Sequence, residues 1–129
     1  PHAVVKYDLQ HAESSEIFDI GMEIRYYKGF PKGANVNFFQ VVNDSTAVVK
    51  TYERGVEDIT LACGTGSAST AAVLIIKGYL KGGRVKIINP GGELFVEVEQ
   101  RNNKIEKLYL IGDTNIVAAG EVLDEDLKY

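Results

Sequence analysis

The segment from Ser67 to Leu80, SASTAAVLIIKGYL, restricts the fold more than any other part of the chain. Ala68, Ala71, Ala72, Val73, Leu74, Ile75 and Ile76 leave it almost no polar face. A helix that is apolar all round must be enclosed by other elements. The small residues at its start let the surrounding backbone approach closely. Lys81-Gly82-Gly83 is the expected stop. No apolar run reaches the ~18–20 residues that a membrane span needs, so the cover has to come from the protein itself.

The rest of the sequence supplies that cover mainly as strands. His2 to Tyr7 is β-prone. Asn35 to Val42 and Thr46 to Glu53 form a hairpin across the turn Asn43-Asp44-Ser45. Arg84 to Asn89 and Leu94 to Glu99 flank the turn Pro90-Gly91-Gly92. Leu94, Val96 and Val98 alternate with Phe95, Glu97 and Glu99, which predicts one buried and one wet face. Arg101-Asn102-Asn103 leads into Ile105 to Ile111, and Asn115 to Val122 is the expected last strand. Residues 54–66 are expected to form a connection, rich in glycine near its end. Ile17, Ile20, Ile24 and Tyr27 fall at helical spacing and predict an amphipathic helix stopped by Gly29 and Pro31. With 129 residues, residues 1–129 make one domain. The expected fold is α+β: a half-open, barrel-like mixed or antiparallel sheet wrapped around one buried central helix, plus one amphipathic helix.

Composition removes several function classes. The content is 45% hydrophobic and 25% charged, ordinary for a globular protein. A net charge of −4 with scattered Lys and Arg argues against nucleic-acid or acidic-membrane partners. One cysteine permits no internal disulfide and fits a reducing cytosol, so a cytoplasmic location is expected. His2, His11 and Cys63 make no zinc pattern, and no metal is expected. The chain begins at Pro1, has Met22 as its only methionine and carries no signal-peptide pattern. It therefore reads as a piece of a longer protein.

Cys63-Gly64-Thr65-Gly66 immediately precedes the enclosed helix. Free N–H groups in a first helical turn favour negative charge by about 0.3–1 kcal/mol, and up to ~2 when partly buried. Glycines at 64 and 66 would let a carboxylate or phosphate reach those donors. The same position favours a thiolate at Cys63. Spacing alone leaves two readings open, since most single cysteines are inert core fillers and glycines before a helix are often turn residues. A Walker-type phosphate loop is disfavoured, because its lysine and Ser/Thr pair is missing. Glu53-Arg54 ends a predicted strand one connection earlier and could lie at the same end of the domain. The planar fork of Arg54 matches a carboxylate; a surface ion pair worth only ~0–1 kcal/mol is the competing reading.

Together these blocks are specific. Pro1-His2-Ala3-Val4, Phe30-Pro31 followed by Asn35-Val36-Asn37-Phe38, Tyr52-Glu53-Arg54-Gly55-Val56, Leu61-Ala62-Cys63-Gly64-Thr65-Gly66 and Pro90-Gly91-Gly92-Glu93-Leu94 occur in one chain. In order and spacing, from Pro1 to about Val122, the sequence closely resembles the C-terminal domain of the diaminopimelate epimerases. That resemblance implies a cofactor-free isomerase of lysine and cell-wall biosynthesis, working by two opposed cysteines in a cleft between two similar domains. It implies that Cys63 is one of the two proton-transfer thiols, with His2 and Glu53 assisting the thiols. Asn35 and Arg54 would hold the amino-acid substrate, and Gly64, Thr65 and Gly66 would receive its α-carboxylate. The implied partners are the substrate and an N-terminal domain of the same enzyme; a homodimer is compatible with the sequence.

The chain departs from the full pattern in lacking the partner cysteine with its Asn/Gly-rich loop and the Gly-Asn that should precede Pro1. The loop from Glu53 to Cys63 is one residue longer than in the shortest members, with Ile59 where an acid is common. Asp113-Thr114 stands where Pro-Ala is frequent. These differences bear on substrate choice, and a racemase for histidine or proline on the same fold stays open. Two readings from other classes also stay open: a non-catalytic binding domain, and, remotely, a hydrolase with Cys63 as nucleophile. The isolated chain is expected to be inactive, since inversion needs an acid and a base on opposite faces.

Overall fold

A computed structural model describes residues 1–102 and 104–121. The strands are β1 (His2–Lys6), β2 (Asn35–Asn43), β3 (Thr46–Glu53), β4 (Asp58–Thr60), β5 (Arg84–Asn89), β6 (Gly92–Arg101) and β7 (Lys104–Ile111). The helices are α1 (Ser14–Arg25) and α2 (Gly64–Ile76). One mixed sheet runs in the order β1-β2-β3-β5-β6-β7, with β4 also on β3. The pairs β1–β2 and β3–β5 are parallel; the other four are antiparallel. A parallel pair needs a crossover, and α1 supplies it between β1 and β2.

The helix α2 touches both edge strands, β1 and β7. Six strands side by side would span roughly 24 Å if flat, about twice the diameter of a helix. The sheet therefore curls around α2 as the expected half-open barrel. Strand alternation then divides the core in two. Phe39, Ala47, Val49, Val85, Ile87, Val96 and Val98 face α2, where they pack on Ala71, Leu74 and Leu80. Val36, Phe38 and Tyr52 point the other way and pack with Leu9 and with Ile17 of α1. The alternation predicted for β6 holds, with Val96 and Val98 buried and Glu99 exposed.

Several boundaries differ from the sequence reading. The central helix starts at Gly64, not Ser67, so Gly64, Thr65 and Gly66 form its first turn. It ends at Ile76, not Leu80: Gly78, at φ +74°, closes it. The Tyr79 amide donates to Leu74 O at 2.8 Å and the Gly78 amide to Ile75 O at 3.0 Å, a Schellman pair that stops the helix before Lys81-Gly82-Gly83. Enclosure of α2 is also incomplete: Ser67, Thr70, Ala71 and Leu74 are buried, whereas Ile76 is exposed.

The first helix ends at Arg25, so Tyr27 leaves the apolar stripe and is exposed. The connection 54–66 contains β4, which lies on β3 with Thr51 opposite Thr60. The expected strand Asn115 to Val122 does not form over residues 115–121, where no neighbouring strand supplies hydrogen bonds and Ile116 and Val117 are almost fully exposed. Val122 and Asn103 lie outside the described residues. Among the described residues, no helix is long and apolar enough to cross a membrane.

Candidate active site

The side of the sheet that faces α2 is apolar over most of its area and polar at one end. On β1, His2 shares its face with Val4; on β2, Asn35 and Asn37 share theirs with Phe39; on β3, Thr51 and Glu53 share theirs with Val49. Parallel pairing sets His2 beside Asn35. The strand tips therefore gather His2, Asn35, Asn37, Thr51 and Glu53 at the end where α2 begins.

Cys63 is the N-cap of α2. Its backbone is extended, its carbonyl accepts from the Ser67 amide at 2.8 Å, and its sulfur accepts from the Gly66 amide at 3.4 Å. Thr65 Oγ1 lies 3.6 Å from the same sulfur. The residue is buried, yet the groups around Sγ are polar donors at a helix tip. Thr65 is exposed and Gly64 half-buried. The turn Pro90-Gly91-Gly92 braces this segment, because the Gly91 amide donates to Leu61 O at 2.7 Å.

Asn35 and Arg54 are coupled through the backbone. Asn35 Oδ1 accepts from the Arg54 amide at 2.8 Å, which leaves the Asn35 NH2 group for another partner. Arg54 Nη1 donates to Lys32 O at 2.9 Å, so the guanidinium keeps further donors available. Burial, above all, holds the His2 imidazole below its usual value of 6.5; Glu53 opposes this and Arg54 adds to it. Those couplings place the carboxylate and the guanidinium in the field of the ring.

Motif reading missed the polar groups beneath the site. Asn37 is fully buried: its Nδ2 donates to Ala3 O at 2.9 Å and lies 3.3 Å from His2 Nδ1. Its Oδ1 accepts from Thr51 Oγ1 at 3.0 Å. A Cβ at Gly66 would stand 2.3 Å from that oxygen, so the first turn of α2 rests directly on the amide. Asn37 thus links His2 to the cysteine-bearing turn. One turn along the helix, buried Ser67 donates to Asn89 Oδ1 at 3.2 Å. The available signal was Asn37 itself, two residues from Asn35 in an otherwise apolar strand.

Among the described residues no cluster of three or more His, Cys, Asp or Glu side chains could hold a metal ion. A cavity of about 810 Å³ opens at the opposite end of α2, among Ile75, Leu80, Val98 and Arg101. Of the candidate groups, Cys63 is buried, His2, Asn35 and Glu53 are half-buried and Arg54 is exposed; a smaller hollow of about 300 Å³ lies beside Ala62, Gly91 and Glu93.

The family model for diaminopimelate epimerase matches residues 1–117. The chain belongs to the diaminopimelate epimerase family. It is 38% identical to the diaminopimelate epimerase of Aquifex aeolicus, matching the whole of this chain and 45% of that protein. It is also 38% identical to that of Archaeoglobus fulgidus, over the whole chain and 42% of the relative. The chain thus spans less than half the length of these relatives. Among solved structures, a PhzF-family phenazine biosynthesis protein from Enterococcus faecalis superposes with a TM-score of 0.61 at 17% identity, covering 78% of this chain and 34% of that one. A probable proline racemase from Agrobacterium radiobacter gives 0.61 at 15% identity, covering 77% and 30%. These two likenesses are of fold.

Proposed function

We propose that this epimerase-family chain forms one half of a cofactor-independent enzyme that inverts the α-carbon of an amino acid, diaminopimelate in its LL and meso forms. The observation that carries this reading is the Cys63 sulfur at the first turn of α2, accepting the Gly66 amide, beside a strand edge bearing His2, Asn35, Glu53 and Arg54.

An α-proton is far less acidic than a thiol, so the carbanion needs electrostatic help away from bulk water. Amides of Gly64, Thr65 and Gly66 would receive the α-carboxylate, and Asn35 and Arg54 would hold the remainder of the substrate. In one direction the Cys63 thiolate takes the α-proton and becomes a thiol. A second thiol, from the domain this chain would face, gives its proton to the opposite face and becomes a thiolate. In the reverse direction the two exchange roles. Glu53 and His2 assist the two sulfurs, and a lone cysteine used in this way fits a reducing cytosol.

The experiment is α-proton exchange with deuterated solvent in the two-domain protein, with and without Cys63→Ala. Loss of exchange on substitution supports the reading; unchanged exchange with diaminopimelate, histidine and proline ends it. Preference for histidine or proline over diaminopimelate would keep the reaction class and change the substrate.

A further inference from the structure

The Asn37 amide touches the one site residue whose proton position it can decide. Ala3 O can only accept, so the NH2 end of Asn37 must face it. At the other end the Thr51 hydroxyl supplies a donor to Oδ1. Both amide hydrogens are then committed, one to Ala3 O and one to His2 Nδ1. A ring nitrogen that faces an N–H group is the one with the free lone pair, and in a neutral imidazole the other nitrogen carries the hydrogen.

We propose that Asn37 is a positioning residue that holds His2 neutral with its proton on Nε2, so that His2 serves the reaction as an N–H donor to an anionic sulfur rather than as the base that deprotonates a thiol. Its place in catalysis rests on the epimerase reading above; the tautomer rests on the geometry alone. A neutral donor suits the chemistry. An imidazolium would stabilise a thiolate more strongly and weaken it as a base toward a reluctant α-proton. The charged side chains in the field of the ring are Glu53 at the end of β3 and Arg54 beyond it. A built-in contrast exists at His11, whose Nδ1 lies 2.8 Å from Asp8 Oδ2 and, facing a carboxylate oxygen, is itself the nitrogen that carries the proton.

Long-range 1H–15N NMR of the 129-residue chain, followed through a pH titration, tests the assignment. In the neutral form His2 is expected to show an unprotonated Nδ1 and a protonated Nε2, and His11 the reverse. Asn37→Asp, which swaps the donor for a carboxylate oxygen, should move the His2 proton to Nδ1 and raise its midpoint. Asn37→Leu should leave a mixture of tautomers. A mixed or Nδ1-protonated His2 in the unaltered chain overturns the proposal, as do unchanged His2 nitrogens in either folded variant. If neither variant folds, the unaltered spectrum decides alone. Exchange of the α-proton is read separately, in the two-domain protein: its absence with the His2 pattern intact ends the epimerase reading, and the wrong pattern with exchange intact removes only the role of Asn37.

Discussion

Arg25, the last residue of α1, grips Glu57 by two nitrogens, with Nε at 3.1 Å and Nη2 at 2.8 Å from the same carboxylate oxygen. Glu57 also accepts from the Gly55 amide at 3.0 Å and from Tyr26 Oη at 3.1 Å. It does so at φ +61°, a left-handed conformation costly for any residue with a Cβ. The turn carrying Arg54 is thereby fastened to the helix on the far side of the sheet.

That fastening gives an acid-sensitive contribution. The Gly55 amide, with Arg25 and Tyr26 adding to it, holds the Glu57 carboxyl below its ordinary 4.5. A depressed folded value means the contribution is present above the unfolded value and lost as pH falls through the folded one. Glu57→Gln should therefore flatten the stability profile below about pH 4.5 and leave its shape near neutrality unchanged. Urea unfolding at a series of pH values checks this; an unchanged acid slope would contradict it.

His2 acts over a higher window. Its folded value is lowered, chiefly by burial, so the unfolded chain binds its proton first as pH drops below 6.5. Stability should decline from that point downward until the folded imidazole also protonates. In the same unfolding series, His2→Gln should remove this part of the slope.

Gly66→Ala should destabilise the fold by about 1–3 kcal/mol, the usual range for overpacking a filled interior. The new methyl would meet Asn37 Oδ1 and Thr51 Oγ1, neither of which has room to retreat. Because the same amide donates to Cys63, the substitution should also disturb the cysteine environment, visible as shifted Cys63 Cβ resonances.

Gly78→Ala provides the contrasting case. Nothing lies within 4 Å of the added atom, but the φ of +74° disfavours any side chain. A loss of about 1 kcal/mol is expected in denaturant titration, with the His2 and Cys63 resonances unmoved.

The 129-residue chain alone should show no epimerase turnover, because it offers a thiol to one face of a substrate only. A coupled assay with purified chain and diaminopimelate tests this; measurable inversion would show that a single thiol suffices.

Sequence periodicity located the sheet well where its two faces differ in chemistry, as in β6, where Val96 and Val98 alternate with Glu97 and Glu99. It misplaced the start of α2 because glycine is a poor helix former. In a first turn that cost is small, since those amides lack partners inside the helix in any case. Close packing on Asn37 is what requires a glycine at 66. The three-residue β4 is too short to show a period, and the apolar pattern over 115–121 has no neighbouring strand among the described residues, which decides whether a strand exists.

The site divides in the same way. His2, Asn35, Glu53, Arg54 and Cys63 could be singled out as candidates because they stand in specific motifs, and the fold brings strand tips and helix tip together at one end. Asn37, Thr51 and Asn89 escaped notice because a buried polar residue looks, in sequence, like an ordinary interruption of a strand.

Among the described residues, β1 lies at the margin of the sheet and pairs with β2 alone. It carries His2 and the Ala3 carbonyl that anchors Asn37. Peeling away this single ribbon would carry off His2 and the anchor of Asn37 while the central strands stay zipped. This arrangement can thus be lost in a fluctuation far cheaper than global melting, and hydrogen exchange at Val5, whose amide faces β2, becomes its gauge.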